Sequence, residues 1–192
     1  ALRNGEFILV YDDDDREGAA GGIPFHKTVN QALVNNFETG TTRNEYNVRK
    51  LYLDAFPAHA SSGRQRFPQI NQAISNDVGN SLYLFYFGHG GINGWTQERV
   101  LTLEEIQNFN NYNNVYARFP FVSTITCEFT LWDDPGTFSA GEQFIKSKLG
   151  GAATMITSSR KIGVGYGVSM TNIFTNQIFE LQNDGFNTLG DS

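Results

Sequence analysis

SLYLFYFGHGG, Ser81 to Gly91, is a hydrophobic run of strand length that stops at a histidine set among glycines. A second run, FPFVSTITC from Phe119 to Cys127, does the same and stops at a cysteine. Neither run alternates apolar with polar residues, as expected of strands covered on both faces in a parallel sheet. One strand end offers a base and the other a nucleophile. If the two ends meet, the chain has the elements of cysteine-dependent acyl transfer.

Working outward, EFILVY at Glu6 to Tyr11 is a third such run and breaks into Asp12, Asp13, Asp14 and Asp15. Val29, Leu33 and Phe37 follow at helical spacing, with Gly40 placed to close the helix. Val48 to Leu53 reads as a strand ending at Asp54, and Phe56 to Phe67 as a loop carrying His59. Pro68 opens a helix whose apolar face is Ile70, Ala73, Ile74 and Val78. Leu82 to Phe87 is the next strand, then a loop from Gly90 to Leu101 in which Glu98 and Arg99 are expected to pair. Thr102 with Glu105 and Ser139 with Glu142 have capping-box spacing and start two helices. The second of these is expected to bury Phe144, Ile145 and Leu149 and to end at Gly150. Phe121 to Thr126 and Ala152 to Thr157 complete the strands, and a last helix presents Met170, Phe174, Ile178 and Leu181 as a stripe.

Strands alternating with helices predict an α/β fold of three layers, a mostly parallel sheet of five to six strands with helices on both faces. Ligands of such sheets bind beyond the carboxyl ends of the strands. Asp12 to Asp15, Asp54, His89, Cys127 and Ser158 to Arg160 all come directly after strands, which places His89 and Cys127 on one rim. Consecutive strands joined by right-handed crossovers tend to be neighbours.

The 192 residues suffice for a single domain, 1–192, with a sizeable core, and 16 phenylalanines can fill it. A net charge of −6 without a basic face excludes nucleic acid as a partner. No apolar run approaches the ~20 residues of a membrane-spanning helix. Abundant Asn, Gln, Ser and Thr fit an exported protein, and the chain reads as a domain of a longer precursor. Its one cysteine can form no disulfide within the chain, so Cys127 is either a buried apolar residue or a reactive thiol.

A neighbouring imidazole would raise the thiolate fraction of Cys127 and later protonate the leaving group. His89 suits that role, and the N–H groups of Gly90 and Cys127 are candidate oxyanion donors. No third carboxylate declares itself. Asp13 and Asp15 could hold a structural Ca²⁺, although Pro24 stands where an EF-hand loop needs its closing Glu. The alternative is a solvated acidic loop. Arg160 and Lys161 could meet an anionic acceptor or simply solvate a loop.

The blocks YFGHGGINGWTQERVLTLEEI, FVSTITCEFTLWDDPGTFSAGEQF and GGAATMITSSR resemble the gingipain family C25 of caspase-like cysteine peptidases, especially its type IX secretion sortases. VYDDDD and VRKLYLDAFP extend the likeness over nearly the whole chain. The resemblance implies Cys127 as nucleophile, His89 as acid and base, and Gly90 in the oxyanion hole. It also implies Phe87, Ile125 and Ser158 as walls of the substrate pocket, a protein or peptide substrate, and no required cofactor. For the sortase branch, the implied reaction removes a C-terminal secretion signal from exported cargo. The acyl group then passes to a polysaccharide amine or water at the cell surface, with other outer-membrane secretion proteins as implied partners. A secreted endopeptidase and a non-catalytic cargo-binding scaffold are the alternatives.

Overall fold

The computed structural model describes residues 6–12, 47–61, 64–112, 118–179, 181–182 and 185–186. Five strands form its central sheet: β1 (Glu6–Tyr11), β2 (Asn47–Tyr52), β5 (Ser81–Phe87), β9 (Phe121–Ile125) and β10 (Thr154–Thr157). Their order is β10-β9-β5-β1-β2 and every pairing is parallel. Because β5 follows β2 in sequence yet lies on the other side of β1, the winding direction reverses between β1 and β5. A crevice at the carboxyl ends of strands is expected at such a point.

Alternate residues of each strand enter two different cores. Ile8, Val10, Leu84, Tyr86 and Val122 join the helices α1 (Pro68–Asp77), α2 (Leu103–Gln107) and α3 (Ala140–Lys146) on one face. Phe7, Leu9, Tyr11, Phe85, Phe87, Phe121 and Ile125 face the opposite way, toward α4 (Val164–Phe179). The result is the three-layer α/β architecture expected, because both sheet faces carry apolar side chains that must be covered. Both capping boxes form: Thr102 with Glu105 starts α2, and Ser139 with Glu142 starts α3.

Several local expectations are corrected. The stretch read as a loop contains a hairpin, β3 (His59–Ser61) against β4 (Arg64–Arg66). The segment after His89 folds into a small antiparallel sheet of β6 (Gly90–Gly91), β7 (Gly94–Trp95) and β8 (Leu101–Thr102). Helix α3 stops at Lys146, where Ser147 turns extended, so Ile145 and Leu149 are exposed and Phe144 alone of the three is fully buried.

On α4 the buried face runs through Gly167, Thr171 and Thr175, with Val164, Val168 and Phe174 beside it, while Met170 is exposed. A hydropathy stripe misses this because threonine counts as polar. Yet Thr171 Oγ1 donates to the Gly167 carbonyl and Thr175 Oγ1 to that of Thr171, both at 2.8 Å, leaving the methyls to pack. Leu181 belongs to a two-residue strand, β11 (Leu181–Gln182), paired with β12 (Gly185–Phe186). The expected helix of Val29, Leu33 and Phe37 and the acidic residues Asp13 to Asp15 lie outside the described residues. Among the described residues no helix is long and apolar enough to cross a membrane.

Candidate active site

Strands β5 and β9 pair directly, with Phe87 opposite Ile125 at their carboxyl ends. The Gly88 N–H continues the ladder to the Ile125 carbonyl at 3.3 Å. His89 and Cys127 therefore each stand two residues beyond a matched pair, on the same rim. Both line one pocket of about 200 Å³, together with Phe87, Ile125, Thr126 and the 162–164 segment. The Cys127 thiol is partly exposed and lies 3.9 Å from the Ile162 carbonyl.

The main chain of His89 is held at both ends. Its N–H donates to the carboxylate of Asp12 at 2.8 Å, and its carbonyl accepts from Tyr86 Oη at 2.5 Å and from the Thr96 N–H at 2.9 Å. Asp12 is buried at the end of β1, across the point where the winding reverses. Tyr86 stacks on Trp95 with centroids 4.2 Å apart, and the indole N–H donates to Thr124 Oγ1 at 3.0 Å. A β-carbon on Gly88 would fall 2.4 Å from that of Asp12, so only glycine allows this approach.

Gly90 sits against the side chain before Cys127. A β-carbon there would lie 2.3 Å from Thr126 Oγ1, a buried hydroxyl with no hydrogen-bond partner among the described residues. Beyond the cysteine, Glu128 adopts a left-handed conformation with φ 51°, uncommon for a residue with a side chain. Its N–H donates to the Arg160 carbonyl at 3.4 Å, and the Thr130 N–H donates to that of Ser158 at 3.3 Å. The turn carrying Cys127 is thus tied to the loop after β10.

Phe87 and Ile125 line the pocket. Ser158 donates its hydroxyl to the Thr126 carbonyl, and the third wall comes from Ile162, Gly163 and Val164 instead. Arg160 pairs with Asp133, whose carboxyl the guanidinium hydrogen bond holds below its ordinary range. Among the described residues no ion pair joins Glu98 to Arg99. The loop is fastened by Asn71 Nδ2, which donates to the Arg99 and Val100 carbonyls at 2.8 and 2.9 Å and to Glu105. Burial raises the pKa of that Glu105 carboxyl.

Sequence reading placed Asp12 on this rim with Asp13 to Asp15, as part of an acidic loop, and gave it no role toward His89. Its signal was its position directly after a strand, shared with His89 and Cys127. Among the described residues no cluster of three or more His, Cys, Asp or Glu side chains is arranged to hold a metal.

A histidine and a cysteine on adjacent parallel strand ends, within a three-layer α/β fold, define a caspase-like cysteine peptidase arrangement. The model of peptidase family C25 matches residues 4–192, and the chain belongs to that family. The fold is similar to that of the Arg specific cysteine proteinase gingipain R, with a TM-score of 0.67 and 14% identity over 95% of this chain and 38% of that one. A complex of Porphyromonas gingivalis RgpB pro- and mature domains matches at 0.62, with 12% identity over 92% of this chain and 38% of that one. A further structure described as a protease matches at 0.57, with 13% identity over 97% of this chain and 34% of that one. The chain thus spans little more than a third of each of these three structures. No curated protein sequence matches it.

Proposed function

We propose that this domain is the catalytic part of a cysteine peptidase working through a Cys127 acyl-enzyme. The observation that carries the reading is the single pocket bordered by both His89 and Cys127. In acylation, Cys127 Sγ bonds to the substrate carbonyl carbon as its proton passes to His89. His89 then protonates the departing amine as the C–N bond breaks. Gly90 and Cys127 N–H groups stabilise the oxyanion, a contribution of roughly 3 kcal/mol per donor. In the second half an amine or water attacks the thioester, the C–S bond breaks, and the proton returns through His89 to sulfur.

The pocket selects the side chain on the acyl side. Phe87, Ile125, Ile162 and Val164 give it an apolar wall, and no carboxylate lines it among the described residues. We assign it an apolar substrate side chain, unlike the arginine named for gingipain R.

The sequence blocks around His89 and Cys127 resemble those of the type IX secretion sortase PorU. That likeness supports removal of a C-terminal secretion signal from exported cargo, with a surface polysaccharide amine as acceptor and the extracellular or outer-membrane surface as location. The test replaces Cys127 by Ala in the full-length protein and measures cargo mass in the producing cell. Cargo retaining its C-terminal signal supports the reading, and unchanged processing contradicts it. Cargo that is cut but carries no added mass in the unmodified strain identifies water as acceptor and makes the enzyme an endopeptidase.

A further inference from the structure

His89 borders a second cavity that Cys127 does not reach. This groove, of about 630 Å³, lies along β6–β8, where Gly90, Gly91, Asn93, Thr96, Gln97, Arg99, Thr102 and Glu104 are among the residues that line it. Its walls mix these polar side chains with Ile92, Trp95, Leu101 and Leu103, whereas the Cys127 pocket is mainly apolar.

The groove is built rather than incidental. Thr96 and Arg99 both have positive φ, 52° and 57°, within the loop that forms its wall. Such residues persist only where their surroundings impose the conformation. Those surroundings are visible: the Ala140 N–H at the start of α3 donates to the Ile92 carbonyl at 2.7 Å, and the Leu103 N–H at the start of α2 donates to that of Asn93 at 3.0 Å. Arg66 Nη1 donates to the Gln97 carbonyl at 3.0 Å, and Asn71 holds Arg99 and Val100 as described.

We propose that this groove binds the leaving-group half of a peptide substrate and favours polar and charged residues there. The inference rests on the peptidase reading. The histidine that protonates the departing amine must face that amine, and the acyl side chain takes the pocket shared with Cys127. The leaving half then extends past His89 into the one large groove that His89 borders without Cys127 among the described residues. Asn93, Gln97 and Thr96 offer amide and hydroxyl partners, while Arg99 and Glu104 offer charges of both signs.

Gly91 gives a clean perturbation, because a β-carbon there would meet nothing within 4 Å. The experiment digests a mixture of nonapeptides, randomised at every position, with the full-length protein and sequences the released carboxyl-terminal halves. A peptidyl chloromethyl ketone mixture reports separately on Cys127. Expected is an enrichment of about threefold or more for polar over apolar residues at the first leaving-group positions. G91L removes that enrichment while the acyl-side preference persists, and E104K shifts the charge preferred there toward acidic residues. A flat leaving-group profile in the unmodified protein overturns the proposal, as does an enrichment untouched by both variants. Labelling of Cys127 without cleavage of the mixture overturns the groove assignment alone. Failure of both labelling and cleavage overturns the peptidase reading beneath it.

Discussion

The carboxylate of Asp12 accepts a 2.8 Å hydrogen bond from the main-chain N–H of His89. Asp12 directly follows β1 and His89 follows β5, so this bond closes the sheet at the point where its winding reverses. In the proposed mechanism Asp12 is a positioning residue, acting on the backbone that carries the His89 imidazole.

Removing that acceptor should therefore affect turnover more than binding. A hydrogen bond to a charged group contributes roughly 1.5–3 kcal/mol, and a decade of rate corresponds to about 1.4 kcal/mol. Asp12→Ala is expected to lower kcat by about 10- to 100-fold with KM changed less than about threefold. Asp12→Asn, which keeps a neutral acceptor, should recover about tenfold of that loss. Steady-state kinetics on a cleaved peptide check both, and equal losses in the two variants would show that the carboxylate's charge rather than its geometry matters.

The apolar pocket makes a specificity prediction. Val164 stands in its wall, half-buried, at the start of α4. Val164→Asp should move the preferred acyl side chain from leucine or valine toward lysine or arginine, by about tenfold or more in kcat/KM ratio. The check is a fluorogenic peptide series differing only at that residue. A basic preference already present in the unmodified protein would contradict the pocket assignment.

Acid stability should depend on Glu142. Its carboxylate accepts from the Ser139 N–H at 3.0 Å and from Lys146 Nζ at 3.0 Å, and these bonds, the backbone one foremost, hold its pKa below the ordinary glutamate value. The unfolded chain then takes up this proton at higher pH than the folded one. The stabilisation is complete above the ordinary value of about 4.3 and drains away as pH falls through the depressed folded value. Thermal melting followed from pH 6 to pH 3 should show a steeper fall in Tm for the unmodified protein than for Glu142→Gln. Because α3 anchors Ile92 through Ala140, activity lost at acid pH should recover on returning to neutrality.

The inner strands were legible because both faces of the sheet are buried there, so that runs such as EFILVY and SLYLFYF carry no polar interruption to obscure them. The helix starts were equally legible, since the Thr102 and Ser139 capping boxes depend only on residues three apart. Less visible were features made by distant partners. The contact of Asp12 with His89 joins residues 77 apart in sequence, and nothing local separated Asp12 from the three aspartates after it. Likewise the buried face of α4 follows Gly167, Thr171 and Thr175, whose fit depends on side-chain hydroxyls bonding within the helix. The third pocket wall lies at Ile162 to Val164 because Ser158 is turned onto the Thr126 carbonyl.

The central claim is that His89 activates Cys127 across the pocket they share. Its most direct test is the rate at which a peptidyl chloromethyl ketone alkylates Cys127 at neutral pH, in the unmodified full-length protein and in His89→Ala. General-base assistance of this kind is typically about 10²- to 10⁴-fold, so the account predicts at least a hundredfold slower alkylation without the imidazole. Equal rates in the two proteins would contradict it.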